Sequence, residues 1–193
     1  MNRLIFIVFS TAFLAVRPCS ADSSGIPVEW VAYAGKGEFI ARVIPAVSSQ
    51  DGYSIEKPSR IQVLRLTSSQ NGYEQVSIFS TQNGATPLKL LMTDDGRRLV
   101  ALDESCGMGR GEHAIVVYDG SGRVLSSWKL DQILTADERK KVTESVSSTW
   151  WREKAYLVGS EFIFTGPARV LVGADVGKGY AHILDLESQK WER

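Results

Sequence analysis

Apolar and polar residues alternate along most of this chain in short runs, the period-two pattern of β-strands with one buried face. Ile61 and Val63, then Val76 and Ile78, alternate across 60–67 and 73–80 and predict a hairpin around Asn71-Gly72. Before it, 28–33 and 38–47 read as strands, the second closed by the polar stretch 48–53. After it come 88–92 and 97–102, then 114–118 paired with 123–128, then 156–158, 161–164, 169–172 and 180–186. Five Asn-Gly or Asp-Gly dipeptides punctuate these runs, at Asp51-Gly52, Asn71-Gly72, Asn83-Gly84, Asp95-Gly96 and Asp119-Gly120. Asn and Asp tolerate positive φ and Gly meets no steric penalty there, so such pairs fit the tight turns between twisted strands.

One segment breaks the rhythm. Leu130 to Leu134 suits a helical turn, and Thr135-Ala136-Asp137-Glu138 has the spacing of a capping box. Arg139, Lys140 and Lys141 follow where cations suit a helix C-terminus. A helix this short is marginal alone and is expected to dock Leu130, Ile133, Leu134 and Val142 on a sheet. The prediction is an all-β antiparallel meander with one short helical insertion near 130–142.

Three strand ends repeat weakly: Leu64-Arg65-Leu66, Val117-Tyr118-Asp119 and Leu184-Asp185-Leu186. The stretch 93–102, Thr-Asp-Asp-Gly-Arg-Arg-Leu-Val-Ala-Leu, together with Val116-Val117-Tyr118-Asp119 and Gly122-Arg123-Val124, resembles one blade of the β-propeller repeat families of the WD and YVTN type. In those repeats a polar-Asp-Gly turn leads one strand and an apolar-apolar-aromatic-Asp strand follows. The segment from Gly111-Glu112-His113 to Trp150-Trp151-Arg152 is similar to uncharacterised bacterial secreted proteins, a likeness that implies a fold and an address but no activity. The repeat intervals exceed a regular blade of about 40–45 residues. Fewer than about four blades do not close a ring. The resemblance therefore implies a partial or few-bladed propeller-like meander, with a two-sheet β-sandwich as the alternative.

Composition narrows the setting. Arg3 precedes an apolar run from Leu4 to Val16, and Cys19-Ser20-Ala21 offers small residues to a signal peptidase. That run is shorter than the ~20 residues a membrane helix needs. The expectation is a signal peptide at 1–21, cleavage after Ala21, and a single β-rich domain at 22–193 in a bacterial periplasmic or secreted setting, with no stable membrane insertion. Val16-Arg17-Pro18 does not fit a lipobox ahead of Cys19. Loss of Cys19 leaves Cys106 as the one cysteine, so no internal disulfide forms, and Cys106 reads as a small buried hydrophobe. The mature chain lacks an Asn-x-Ser/Thr sequon. Lys plus Arg and Asp plus Glu number 22 each, and the bases are scattered. A polyanion finds no basic patch, so nucleic acid is excluded as a partner.

Chemistry concentrates in the loop 103–113, Asp-Glu-Ser-Cys-Gly-Met-Gly-Arg-Gly-Glu-His. A Cys106–His113 pair is a conceivable nucleophile and base, but no third member orients the histidine. Gly107, Gly109 and Gly111 lack the ending of a P-loop and the helix that receives phosphate. Asp94, Asp95, Asp103 and Glu104 flank one hairpin but read as solvated strand ends rather than calcium ligands. Trp150-Trp151 is more distinctive, because strand neighbours point to opposite faces. An outward indole beside Arg152 can stack on a sugar ring or anchor a protein; the competing reading covers it with the helical insertion. Trp30, Trp128 and Trp191 read as core.

The sequence thus sets the expectation of a non-enzymatic β-domain for protein or glycan binding. Its candidate ligand-binding residues are Trp151, Arg152, Arg110 and His113; no catalytic residue, metal or cofactor is assigned. The alternatives are a hydrolase using the 103–113 loop, and a structural or oligomerising subunit.

Overall fold

The computed structural model describes residues 28–49, 54–69, 71–82, 84–103, 109, 111–144, 149–151, 155–158, 169–173 and 181–192. The expected signal segment 1–21, the Asp51-Gly52 turn, the strand expected at 161–164, and Cys106, Arg110 and Arg152 lie outside them.

The described chain is all-β apart from two helical turns. Strands β1 (Trp30–Tyr33) and β2 (Phe39–Ile44) are followed by a small hairpin, β3 (Val47–Ser48) and β4 (Ile55–Lys57). Then β5 (Arg60–Leu66) and β6 (Tyr73–Ser80) complete a first sheet, ordered β1-β2-β5-β6 and antiparallel throughout. The expected strand 38–47 is therefore cut at Ile44, and the polar stretch after it carries a hairpin. Both hairpin strands are exposed, and the Ser54 and Ser49 hydroxyls bond at 2.7 Å across it.

The second sheet is a meander of β7 (Lys89–Met92), β8 (Arg98–Leu102), β9 (Ile115–Asp119) and β10 (Val124–Trp128). Leu99 to Leu102 and Ile115 to Tyr118 are buried without a break. Such unbroken apolar strands are those covered on both faces. On one face Leu99, Ala101, Val116 and Tyr118 pack against Ala32, Ala41, Val43, Ile61 and Val63 of the first sheet. On the other, Val100, Leu102, Ile115 and Val117 meet Leu184, Leu186, Trp151 and the helical insertion.

The insertion is two helical turns, α1 (Leu130–Ile133) and α2 (Ala136–Arg139), where one was expected. Leu134 is extended, at φ −92° and ψ 144°, and breaks the run. The capping box forms as the spacing predicts: the Thr135 hydroxyl accepts from the Glu138 N–H, and Glu138 accepts from the Thr135 N–H. Leu130, Ile133, Leu134 and Val142, the expected docking face, are all buried.

Beyond it, β11 (Thr143–Glu144) pairs β12 (Thr149–Trp150). A third meander follows: β13 (Ala155–Val158), β14 (Arg169–Gly173), β15 (Ala181–Asp185) and β16 (Lys190–Glu192). Three four-stranded sheets stand where a sandwich would have two, because the middle sheet is apolar on both sides.

Turns lock the first two sheets together. Gly96, at φ 66°, has the Phe39 ring 2.5 Å from where a Cβ would sit. Gly84 also has positive φ, whereas in the Asp119-Gly120 turn the left-handed residue is Gly122, which lies against Phe79. Gly72 is outside the left-handed region.

Candidate functional site

The 103–113 loop leaves the second sheet at the end of β8 and returns at the start of β9. Asp103 there has φ 58°, a left-handed conformation that Asp tolerates better than most residues. Its N–H donates to the Ala114 carbonyl at 2.8 Å and continues the ladder. Its Oδ1 accepts from the Gly109 N–H at 2.7 Å and the Trp151 indole N–H at 3.0 Å. Asp103 is fully buried, so these charge-assisted bonds replace the water the carboxylate loses. Gly109 is fitted as closely: an added Cβ would lie 2.6 Å from Trp151 Cδ1 and 2.8 Å from the Thr149 carbonyl.

Trp151 is also fully buried, in one cluster with Leu130, Ile133 and Leu134. Of the two readings of this ring, a stacking surface or one covered by the insertion, its burial matches the covered one, with Leu130, Ile133, Leu134, Asp103 and Gly109 around it. Sequence alternation leaves open which of two adjacent tryptophans turns inward. For Trp151, Asp103 and Leu130 supply the inward partners.

His113 is half-buried, with Nδ1 2.5 Å from the Ser127 Oγ on β10. Glu112 forms an ion pair with Lys129. That ammonium, by hydrogen bond and then by charge, holds the Glu112 carboxyl below the usual carboxylate range. Neither Glu112 nor Lys129 bonds the imidazole among the described contacts, and Ser127 was not a residue the sequence singled out. Of the four expected ligand residues, the structure places Trp151 in the core and His113 at the loop's far end; Arg110 and Arg152 lie outside the described residues. Asp95 Oδ1 accepts from the Thr93 hydroxyl and the Arg97 N–H, and Asp103 serves the loop. No three His, Cys, Asp or Glu side chains converge as a metal site among the described residues.

A second feature lies on the outer face of the first sheet. Trp30 and Ala32 point inward from β1, so Val31 and Tyr33 point outward, and they are 49% and 75% exposed. Register places Val31 beside Arg42, Gln62 and Ile78, and Tyr33 beside Ile40 and Leu64. Tyr73, opposite Leu66, extends the face, and its hydroxyl donates to the Gly37 carbonyl at 2.8 Å. Arg42 is neutralised in place by Glu29, 2.7 Å away. The patch thus combines aliphatic and aromatic side chains with the hydrogen-bonded amides of Gln62 and Gln75, and its central charge is paired. The sequence carried this signal in Trp30-Val31-Ala32-Tyr33, a strand apolar on both sides.

The chain matches no known protein-family model, and no curated protein is recognisably similar to it. No helix among the described residues is long and apolar enough to cross a membrane.

Proposed function

We propose that this chain is a non-enzymatic, propeller-like binding domain, delivered to the periplasm or secreted by its N-terminal segment, that docks a protein on the outer face of its first sheet. The observation that carries this reading is the exposed set Val31, Tyr33, Tyr73 and Ile78 on a sheet whose other face is core. Contiguous apolar patches on one side of a sheet mark interaction surfaces. Tyr is also favoured at binding hot spots. The propeller-like arrangement is supported by three consecutive four-stranded meanders stacked face to face. It is supported again by the approach of β7, the first strand of its sheet, to both β1 and β13, the first strands of theirs. First strands that converge are the inner strands of propeller blades.

The test is a photo-crosslinking amino acid placed at position 33 or 78 in the chain expressed with its own N-terminal segment. A discrete protein adduct from both positions, absent from position 124 on β10, is expected. No adduct, or the same adducts from position 124, removes the surface from consideration.

A second reading, a hydrolase, has one observation in its favour: the 2.5 Å contact between His113 Nδ1 and Ser127 Oγ, a base within reach of a hydroxyl. Turnover of activated esters that disappears in Ser127→Ala and His113→Ala would establish it, and equal rates in all three chains would end it.

A further inference from the structure

We propose that Asn71 is a site of spontaneous deamidation in the folded chain, passing through a succinimide to aspartate and isoaspartate, while the fold protects Asn83 in the same tripeptide. The inference goes beyond the binding reading above and stands without it.

Gln-Asn-Gly occurs twice in this chain, at 70–72 and at 82–84. In both copies the residue after asparagine lacks a side chain that would hinder its backbone nitrogen. The local chemistry is thus matched, and a difference in reactivity belongs to the tertiary structure. Gln70 and Asn83 lie outside the described residues, so the contrast is carried by Asn71 and the two glycines.

Ring closure requires the Gly72 nitrogen to give up its proton and attack Asn71 Cγ. A new bond forms from that nitrogen to Cγ, the bond from Cγ to the side-chain nitrogen breaks, and ammonia leaves with the proton. Water then opens the ring. Attack at the former side-chain carbonyl gives aspartate; attack at the former backbone carbonyl gives isoaspartate, whose chain runs through Cγ. Water is the sole co-reactant.

The hairpin between β5 and β6 leaves this nitrogen free. The Thr67 N–H donates to the Gly72 carbonyl at 2.9 Å, but the Gly72 N–H and the Asn71 carboxamide have no hydrogen-bond partner among the described residues. Both residues are exposed. Gly72 is outside the left-handed region and has nothing within 4 Å of its Cβ position. Gly84 is held instead. Its N–H donates to the Thr81 carbonyl at 3.1 Å, and its carbonyl accepts from the Ser59 N–H at 2.6 Å. Its φ is 72°, and Pro58 lies 3.5 Å from its Cβ position. Local opening must break these bonds before the ring closes there. Gly96 and Gly120, which follow Asp95 and Asp119, are held likewise, donating to the Thr93 and Arg97 carbonyls at 2.9 and 3.0 Å.

The fold tolerates the product. Position 71 lies outside the ladder, whose last pair is Leu66 with Tyr73, so the extra backbone atom of isoaspartate lengthens the turn without shifting the register. The modification changes charge: a carboxylate replaces a neutral amide two residues from Tyr73, at the rim of the first sheet's outer face.

Incubation of the purified mature chain at mildly alkaline pH, then cleavage after Tyr73 and mass spectrometry of the fragments, tests this. Position 71 should gain the mass of an amide-to-acid exchange, as two separable isomers. It should convert at least about tenfold faster than position 83, because the two bonds at Gly84 each slow opening by roughly 2- to 10-fold. In concentrated urea the two positions should convert at similar rates. Gly72→Ala, which the open space accommodates, should slow conversion at 71 and leave the circular dichroism of the folded chain unchanged. Equal rates at 71 and 83 in the folded chain overturn the proposal, as does the lack of conversion at 71 there. So does a bias toward 71 that persists in urea, which would belong to neighbouring residues instead of the fold. Undiminished conversion in Gly72→Ala, or a single product, would mean direct hydrolysis of the side chain and overturns the succinimide route.

Discussion

Asp103 and Trp151 stand 48 residues apart in sequence and meet in the core, where the indole N–H donates to the carboxylate at 3.0 Å. One carboxylate oxygen serves this bond and the Gly109 N–H, so a single atom ties the end of β8, the loop and the strand after the insertion. Asp103→Ala leaves two buried donors unpaired at a position with φ 58°. The expected cost is about 3 kcal/mol, since bonds to charged groups contribute about 1.5–3 kcal/mol each and unpaired donors are penalised further. Asp103→Asn keeps the acceptor oxygen and the tolerance of positive φ, and should lose less than half as much. Urea denaturation of the two variants checks this; equal losses would show that the oxygen is not what holds the loop.

Gly96 tests how the first two sheets are fastened. Alanine there incurs about 1–2 kcal/mol for the left-handed backbone. Its Cβ would also press on the Phe39 ring at 2.5 Å, a ring partly buried against the core shared by the first two sheets. A loss of about 2–4 kcal/mol in total is expected. Alanine at Gly37 is the control: it has a similar φ, 70°, with nothing within 4 Å, and should show the backbone part alone. Thermal melts giving the same shift for both variants would remove Phe39 from the account.

Much of this fold was written in local pattern, and what was missed lacked local signal. The hairpins of β5 with β6 and β9 with β10 announce themselves through alternation and turn residues. The capping box at Thr135 forms from its spacing alone. By contrast β3, β11 and β12 have two residues each and β16 has three, too few for a period to register. The site was less legible. Trp151 is turned inward by Asp103 and Leu130, partners that no window around position 151 contains. The doubly apolar β1 was plain in the sequence, yet only the structure shows that one of its faces has cover and the other does not.

Acid should weaken the turn after β9. Burial works to raise the Asp119 carboxyl, but the Ser121 hydroxyl, the Arg123 and Ser121 N–H groups and the Arg123 guanidinium together outweigh it and bring it from 3.8 to about 2. A carboxyl lowered in the folded state stabilises above its unfolded value, and that contribution is lost as pH falls through the folded one. The loss attributable to Asp119 therefore falls between about pH 4 and pH 2. Asp119→Asn keeps an acceptor for the N–H groups but cannot ionise. It should be less stable than the natural chain at neutral pH and match it near pH 2. Denaturant midpoints for both chains across that window decide the matter, and parallel curves would contradict the assignment.

The contact between Glu138 and His182 couples the helical insertion to the third sheet. Burial tends to raise the Glu138 carboxyl, but the Thr135 N–H and hydroxyl, joined by His182, lower it overall. An ionised carboxylate only accepts, so the His182 Nε2, 3.0 Å from Glu138 Oε1, carries the hydrogen. Both side chains are buried, 44 residues apart in sequence. A buried polar pair adds little net stability, but removal of one member strands the other. His182→Phe keeps a ring against Trp191, whose centroid is 6.3 Å away, yet leaves the carboxylate without that donor. It should cost about 2 kcal/mol, and Glu138→Ala somewhat more because the capping box goes with it. With Thr135→Ala measured separately to gauge the cap, the double variant should be more stable than the sum of its singles implies, by about 1–2 kcal/mol. Strict additivity would mean that insertion and sheet are held by Leu130, Ile133 and Leu184 alone, with the polar pair merely tolerated between them.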